Sequence, residues 1–297
     1  MVSNGGGDGT AARRLRRRLD AARLEGPLIA PGAYDALSAR LIELAGFDAV
    51  YLTGFGAAAS LLGKPDVGLL TGTDMADQAR RLVLATHLPL IADADTGYGN
   101  ALNVAHTVAV LEQAGVAAIQ VEDQVSPKRC GHMSGKGVID ADEMAGKIRA
   151  AVDTRRDPDL VLIARTDAIA VDGVDEAIKR ARAYREAGAD ALFIEAPTTE
   201  PDLERIAGEL AGEMPLVFNR VDDGRTPHLS HQRMTELGFA VVLFPVTALF
   251  AATSGVRAAL AGLAAAGAPP AVPPGTFDEF TALLGLPELR AREDRYA

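Results

Sequence analysis

Short apolar runs alternate with longer amphipathic stretches along most of the chain. The runs are Pro27–Ala30, Ala49–Leu52, Leu88–Ala92, Ala117–Val121, Leu160–Ala164, Ala191–Ile194, Leu216–Phe218 and Ala240–Phe244. Each is continuous rather than alternating, as a strand buried on both faces should be. Helical periodicity between them is clearest over Tyr34–Ala45, Val104–Ala114, Ala141–Val152 and Val174–Ala187. A small phrase recurs where helix hands over to strand: Ala45-Gly46-Phe47-Asp48-Ala49, Ala114-Gly115-Val116-Ala117-Ala118, Ala187-Gly188-Ala189-Asp190-Ala191 and Leu237-Gly238-Phe239-Ala240. Glycine just past a helix end takes the left-handed conformation that caps the helix and turns the chain. One repeated β-α unit follows, and eight of them predict an α/β protein with a (β/α)8 TIM-type barrel. The rival is a doubly wound open sheet, but no G-x-G-x-x-G turn follows the first strand.

Residues 1–10 are polar and Gly-rich and read as a disordered tail. The barrel is expected over 11–266. Residues 267–275 read as a Pro-rich linker, and an additional C-terminal helix over Phe277–Leu284 is expected to stop at Gly285 and Pro287. That helix is a candidate for packing on a neighbouring subunit.

At 297 residues, 48% hydrophobic and 24% charged, the chain suits one large globular domain. A net charge of −10 opposes nucleic-acid binding. The one basic run, Arg13-Arg14-Leu15-Arg16-Arg17-Arg18, reads as a solvated face of the first helix. A single cysteine excludes an internal disulfide and fits a reducing cytoplasm. No apolar run reaches the ~18 residues of a membrane span, and the N-terminus lacks the apolar core of a signal peptide. The expectation is a cytoplasmic protein acting on small molecules, with no nucleic-acid or membrane partner.

The polar residues that end the runs carry the chemistry. Asp93 and Asp95 follow the third run, and Glu122 and Asp123 the fourth. Alternate strand residues share a face, so Asp93 and Asp95 both point into the mouth. Adjacent strands lie ~4.8 Å apart, which lets Glu122 join them. Carboxylates so crowded repel one another unless a cation neutralises them, and oxygen-only ligands favour Mg²⁺ or Mn²⁺. The alternative is a hydrogen-bonded network capping the next helices; for Asp123 that structural role is the favoured one. A few residues on, Lys128-Arg129-Cys130-Gly131-His132 sets the one cysteine beside two cations, which favour thiolate. Such a thiol near neutrality moves protons to and from carbon. The alternative for Cys130 is an inert buried hydrophobe. His132 either positions substrate or braces the loop. Gly131 and Gly135 suit a mobile lid that excludes water.

In this order the motifs resemble the isocitrate lyase / phosphoenolpyruvate mutase superfamily, from about Arg23 to Leu263. They are Tyr51-Leu52-Thr53-Gly54-Phe55-Gly56, Leu62-Gly63-Lys64-Pro65-Asp66, Asp93-Ala94-Asp95-Thr96-Gly97-Tyr98-Gly99, Glu122-Asp123-Gln124, the Lys128–His132 pentapeptide and Ala164-Arg165-Thr166-Asp167-Ala168. The resemblance implies a (β/α)8 barrel, often a homotetramer with the last helix swapped between subunits. It implies Mg²⁺ held near Asp95, with Asp93 and Glu122 acting mostly through water. Thr53, Gly54 and Phe55, beside Tyr51, match the segment that holds the carboxylate of a pyruvate-like unit. Arg165 matches the arginine on the α-keto acid or enolate oxygens, and Asp66 an aspartate of the mouth. Cys130 matches the acid/base cysteine of the carbon–carbon lyases, with Lys128 and His132 beside it in the gating loop. Glu195 and Asn219 are expected to line the far side of the pocket, with a salt-bridge role in the barrel core as the alternative for Glu195.

Departures from the family pattern narrow the branch. Cys130-Gly131-His132 argues against the mutases proper, which have an Asn-containing loop. Asn219-Arg220-Val221-Asp222-Asp223-Gly224-Arg225-Thr226-Pro227 lacks the Thr-Glu pair of the isocitrate and methylisocitrate lyases. It looks more like the dialkylmalate lyases, such as the 2,3-dimethylmalate enzymes, and the carboxyphosphonoenolpyruvate phosphonomutases. Phe55 replaces a small residue common in the pyruvate-binding turn. The resemblance therefore implies a Mg²⁺-dependent lyase that cleaves a 2-hydroxy dicarboxylate to an α-keto acid through an enolate. The alternatives are carbon–phosphorus bond chemistry, oxaloacetate decarboxylation, and an inactive barrel serving as a binding protein.

Overall fold

A computed structural model describes residues 9–131, 135–267 and 275–297. Among these, the first half runs α1 Ala11–Glu25, β1 Leu28–Ala33, α2 Ala36–Leu44, β2 Val50–Leu52, α3 Gly54–Leu62, α4 Gly72–Ala85, β3 Leu90–Asp93, α5 Ala101–Ala114, β4 Ala118–Glu122 and α6 Ala141–Thr154. The second half runs β5 Val161–Thr166, α7 Ile169–Asp172, α8 Val174–Glu186, β6 Ala191–Ile194, α9 Glu200–Leu210, β7 Leu216–Asn219, α10 His231–Leu237 and β8 Phe239–Phe244. Three helices follow, α11 Thr247–Ala266, α12 Phe277–Leu283 and α13 Leu286–Tyr296. The strands are parallel and close on themselves, β1 pairing with both β2 and β8. The expected TIM-type barrel is thus the observed one.

Each predicted strand is present, but several continue one or two residues past their apolar run. β3 takes in Asp93, β4 Glu122, β5 Arg165 and Thr166, and β7 Asn219. Polarity there marks the side chains of the barrel mouth and not the end of backbone pairing. The glycines of the repeated turn, Gly46, Gly115, Gly188 and Gly238, all have positive φ, between 80° and 104°. A Cβ would strain each of these turns.

Inside the barrel Tyr51, Ile91, Ala118, Ile163, Phe193, Val217 and Leu243 form one core, which Ala12, Leu15, Leu19 and Ala22 of α1 join among the strand-start residues. A second core lies between strands and helices, around Leu52, Ala92, Ile119, Leu162 and Ile194. Burying α1 changes the meaning of its basic run. Arg14 donates to His87 O at 2.7 Å, Arg16 to Asp190 Oδ1 at 3.1 Å and Arg18 to Gly26 O at 3.0 Å. The run is therefore not simply a solvated face; it ties α1 to the turns that precede the strands.

The chain divides by compactness into Met1–Leu249 and Phe250–Ala297. The division falls ahead of most of α11, whereas the sequence places it near 266. The tail to residue 8 and most of the Pro-rich linker lie outside the described residues. The expected single last helix is two helices. Gly285, at φ 84°, ends the first and sits at the N-cap of α13, and Pro287 lies in the first turn of α13, where a missing N–H costs nothing. The expectation about membrane-span length is also corrected. α11 has 20 residues with a mean hydropathy of 1.4 over its most apolar window, enough by length and composition to cross a membrane. Thr, Ser and Arg interrupt its apolar run without lowering the average below that mark.

Candidate active site

The alternation that buries Ile91, Ala118, Ile163 and Val217 in the barrel carries two residues further to Asp93, Gln120, Arg165 and Asn219, and Glu122 follows Gln120 on the same face. Strand register sets Asp93 beside Gln120 and Glu122 beside Arg165. Asp93 is held on three sides. Its Oδ1 accepts from Asp95 N at 3.1 Å and Gln120 Nε2 at 3.2 Å, and its Oδ2 from Gly54 N at 3.3 Å. Tyr51 supports this arrangement from below, its hydroxyl donating to Gln120 Oε1 at 3.2 Å. Burial, then the Asp93 charge, keep that phenol protonated well above its ordinary range. Thr53 is the N-cap of α3 and accepts from Gly56 N at 3.3 Å. A Cβ at Gly54 would lie 2.8 Å from Asp93 Oδ2, so α3 meets the acids only because residue 54 has no side chain. Phe55 is half-buried beside it.

Asp95 has a φ of 47°, a left-handed conformation unusual for a residue with a side chain. Lys128 Nζ lies 2.6 Å from Asp66 Oδ2 and 2.8 Å from Asp95 Oδ1, and all three residues are buried. The first contact is a hydrogen bond. The second is an ion pair with the same ammonium, so Asp95 Oδ1 already faces a cation. Burial raises the Asp95 carboxyl to about 7 against the pull of Lys128, with Asp93 and Asp66 adding to the rise.

Arg165 joins the other half of the mouth. Its Nε lies 3.2 Å from Glu122 Oε2 and 2.9 Å from Asp167 Oδ2; its Nη2 lies 3.1 Å from Asp167 Oδ1 and 3.7 Å from Glu195 Oε1. The guanidinium also stacks over Phe193, 5.1 Å from the ring centre. Asn219 Nδ2 donates to both Glu195 oxygens at 3.2 Å. Glu122 accepts from Gln124 Nε2 at 2.8 Å, and Gln124 in turn bonds the backbone of Arg129 through both ends of its amide. Burial pushes the Glu122 carboxyl up, opposed by Arg165. Cys130 is partly exposed, and the Gly131 that follows it is buried against Glu195 and Arg165. His132 lies outside the described residues.

Asp123 faces away from the mouth. It accepts from Thr166 Oγ1 and Tyr184 OH at 2.7 Å each and from Asp167 N at 2.9 Å, and it pairs with Arg180 at 3.3 Å. Its structural role is therefore the observed one. Asp123→Ala should destabilise the fold by about 3–5 kcal/mol, because it leaves three buried donors unpaired and takes one of two carboxylate partners from Arg180. Urea unfolding measures this, and a loss under about 1 kcal/mol would refute it.

The motifs of the sequence assign no role to Asp167, Lys136, Gln120, Gln124 or Tyr98. Asp167 was open to the argument that pairs Asp93 with Asp95, since it stands two residues beyond Arg165. Lys136 carries no local signal, because its partners are Asp167 at 2.6 Å and the Gly131 carbonyl at 2.6 Å. The Tyr98 hydroxyl is buried without a hydrogen-bond partner, and burial and then Asp95 raise it well above its ordinary range.

Among the described residues no three His, Cys, Asp or Glu groups already form a closed metal cage. The donors nonetheless fit a hard cation: all are oxygens, and an ammonium already sits against Asp95 and Asp66. One direct carboxylate with others acting through water is the pattern such a set allows. Outside the loop a cavity of about 1060 Å³ opens, lined by Lys128, Arg129, Lys136 and Arg225 along with Gln124 and Val67.

The family described as phosphoenolpyruvate phosphomutase matches residues 17–264. The chain is 46% identical over 290 residues to 2,3-dimethylmalate lyase of Eubacterium barkeri, an alignment that covers 96% of this chain and 98% of that one. A crystal structure of 2,3-dimethylmalate lyase superposes with a TM-score of 0.91 at 41% identity, covering 97% of this chain and 96% of the other. A phosphonopyruvate hydrolase crystallised with oxalate and Mg²⁺ superposes with a TM-score of 0.87 at 34% identity, covering 97% and 99%. With its barrel, its acidic mouth and its cysteine loop, the chain belongs to the phosphoenolpyruvate mutase / isocitrate lyase superfamily.

Proposed function

We propose that the substrate of this carbon–carbon lyase is a 2-hydroxy dicarboxylate of the substituted-malate kind, cleaved to pyruvate or a related α-keto acid. The observation that carries this is the seating of the Cys130–Gly131 peptide against the buried guanidinium of Arg165. A Cβ on Gly131 would stand 2.6 Å from Arg165 Nη2. The residue that follows Cys130 thus packs against the fixed cation, which supports assigning the thiol to the same end of the site. The similarity to 2,3-dimethylmalate lyase supports the substrate class.

In this mechanism a base takes the proton of the 2-hydroxyl, that oxygen becomes the keto oxygen, and the C2–C3 bond breaks. The electron pair passes to C3 and spreads onto the oxygens of the adjoining carboxylate. Arg165 faces the developing negative charge with preorganised N–H donors, which is worth most in a dry site. The Cys130 thiol gives its proton to C3. Thr53, Gly54 and Phe55, with Tyr51 behind them, bound the keto-acid end; Asp66, Glu195 and Asn219 line the rest. Lys128 spans Asp66 and Asp95, and His132 follows in the same loop. Mg²⁺ is the proposed cofactor, with Mn²⁺ able to replace it; Asp93, Asp95 and Glu122 would hold it, and its charge would stabilise the enolate.

A pH dependence follows from Asp95. Its carboxyl is raised to about 7, so below that value a proton competes with the cation. Mg²⁺ affinity should rise about tenfold per pH unit up to about pH 7 and then level off. The sign is reversed for the metal-free fold. There the folded state binds more protons than the unfolded one, so stability falls as pH rises from the ordinary carboxylate range to about 7. Calorimetric titration with Mg²⁺ between about pH 5.5 and 8.5 checks the first effect; a flat profile would count against Asp95 as a ligand.

The reading extends to a cytoplasmic homotetramer. Phe250, Val256, Leu260 and Leu263 of α11 and Phe277 and Phe280 of α12 are exposed, an apolar surface suited to another subunit. Light scattering on the purified protein decides between tetramer and monomer.

The deciding experiment is a coupled assay of α-keto acid release, with and without Mg²⁺. Its panel is malate, 2-methylmalate, 2,3-dimethylmalate, methylisocitrate, isocitrate and oxaloacetate. Mg²⁺-dependent pyruvate from a substituted malate is the expected result. Release from oxaloacetate alone would make the enzyme a decarboxylase. Silence across the panel from a folded, Mg²⁺-binding protein would overturn the substrate and favour phosphonate chemistry.

A further inference from the structure

Lys136 takes no part in the chemistry just derived, yet its side chain is only 1% exposed. Burying an ammonium is costly unless its N–H groups are bonded and its charge is paired. Two of the three N–H groups are bonded, and the charge is paired. Nζ donates to Asp167 Oδ1 at 2.6 Å and to the carbonyl of Gly131 at 2.6 Å. Each acceptor leads to a different half of the active site. Asp167 grips Arg165 with both oxygens, Oδ2 on Nε at 2.9 Å and Oδ1 on Nη2 at 3.1 Å. Glu122 holds the same Nε from the other side at 3.2 Å. Gly131 is joined through one peptide bond to Cys130 and packs against Arg165 and Glu195.

We propose that Lys136 is a positioning residue: by bridging the Gly131 carbonyl to the Asp167 carboxylate, it holds the Cys130 thiol in register with the Arg165 guanidinium. The proposal rests on the lyase chemistry assigned to Cys130 and Arg165. The two groups lie on separate segments, the loop after β4 and the end of β5, with α6 between them in sequence. Proton donor and enolate-binding cation must meet one substrate within a fraction of an ångström, and a 1 Å misplacement costs on the order of 10²-fold in rate. A lysine suits the task. Its charge keeps Asp167 ionised beside Arg165; burial opposes this, but the two cations hold the Asp167 carboxyl below its ordinary value. A second N–H reaches a neutral carbonyl, which ties a backbone to an ion pair. A role as mere counter-charge would leave the Gly131 bond without consequence.

The test uses Lys136→Met, which keeps length and removes charge and donors, and Lys136→Arg, which keeps both. Cys130 is the chain's single cysteine, so its alkylation by iodoacetamide reports on that thiol alone. This readout needs neither substrate nor metal. Lys136→Met should lower kcat about a hundredfold and speed alkylation about tenfold as the thiol leaves its register. Lys136→Arg keeps charge and donors on a longer, forked group, so it should recover part of the kcat lost in Lys136→Met and slow alkylation back toward the parent rate. Combining Lys136→Met with Asp167→Asn should cost no more in kcat than the worse single change, since both break one bridge. Unchanged alkylation in Lys136→Met would overturn the proposal, as would multiplying losses in the double variant. If the parent enzyme turns over nothing in the dicarboxylate panel, the substrate reading fails. The alkylation comparison then judges Lys136 by itself: faster in Lys136→Met supports the bridge, and unchanged overturns it.

Discussion

Cys130→Ser should lose carbon–carbon cleavage by about 10³-fold while binding Mg²⁺ as tightly as the parent. The serine hydroxyl has nearly the shape of the thiol but is a far weaker acid, and the step assigned to residue 130 is delivery of a proton to carbon. General acid catalysis of this kind contributes roughly 10²–10⁴-fold. Because the loss falls on a group that acts in the transition state, kcat and kcat/KM should drop together, with little change in KM. The Asp66–Lys128–Asp95 cluster is untouched by the change, so a calorimetric Mg²⁺ titration should superpose on the parent's. Full activity in the serine variant, or in Cys130→Ala, would sink the assignment of Cys130 as proton donor.

That prediction was open to sequence reasoning because its residues are close in the chain: a cysteine, two cations and two glycines within a few positions. The barrel was legible for a related reason. Each strand is a continuous apolar run and each hand-over turn needs a glycine of positive φ, both local signals. The boundaries at the mouth were less legible, because Asp93, Glu122, Arg165 and Asn219 belong to strands while looking like the loops that follow. Asp123 shows the limit of composition. It is as acidic as Glu122 and adjacent to it, yet the pleat turns it to Thr166, Tyr184 and Arg180 on the far side. Only the strand phase separates a site carboxylate from a structural one, and that phase is fixed by pairing with distant strands. Lys136 and the arginines of α1 were unreadable for the same reason, since Lys136 meets Asp167 and Arg14 and Arg16 meet His87 O and Asp190, all far away in sequence.

Asp95→Ala should abolish Mg²⁺ binding and turnover together, and Asp95→Asn should do the same without harming the fold. The alanine change alone is open to a structural objection, because Asp95 sits at a φ of 47°. Asparagine tolerates that conformation better than most residues and keeps the outline of the side chain. It removes only the charge. Loss of a direct carboxylate should weaken Mg²⁺ by on the order of 10²-fold or more, beyond what changes to a ligand's supporting groups cost. Stability should move the other way. Burial raises the Asp95 carboxyl to about 7, so at pH 8 the metal-free protein holds it ionised at a cost that the amide avoids. Lys128 keeps its 2.6 Å bond to Asp66 in the variant and is not left without a counter-charge. Metal-free Asp95→Asn at pH 8 should therefore melt no lower than the parent while binding Mg²⁺ at least a hundredfold more weakly, a trade of stability for function that active sites commonly show. Parent-like Mg²⁺ affinity in this variant would remove Asp95 from the metal site. A much lower melting temperature would mean that the carboxylate serves the fold, with Lys128 as its true partner. The opposed signs separate a ligand from a brace at a position where sequence, burial and charge alone are consistent with either.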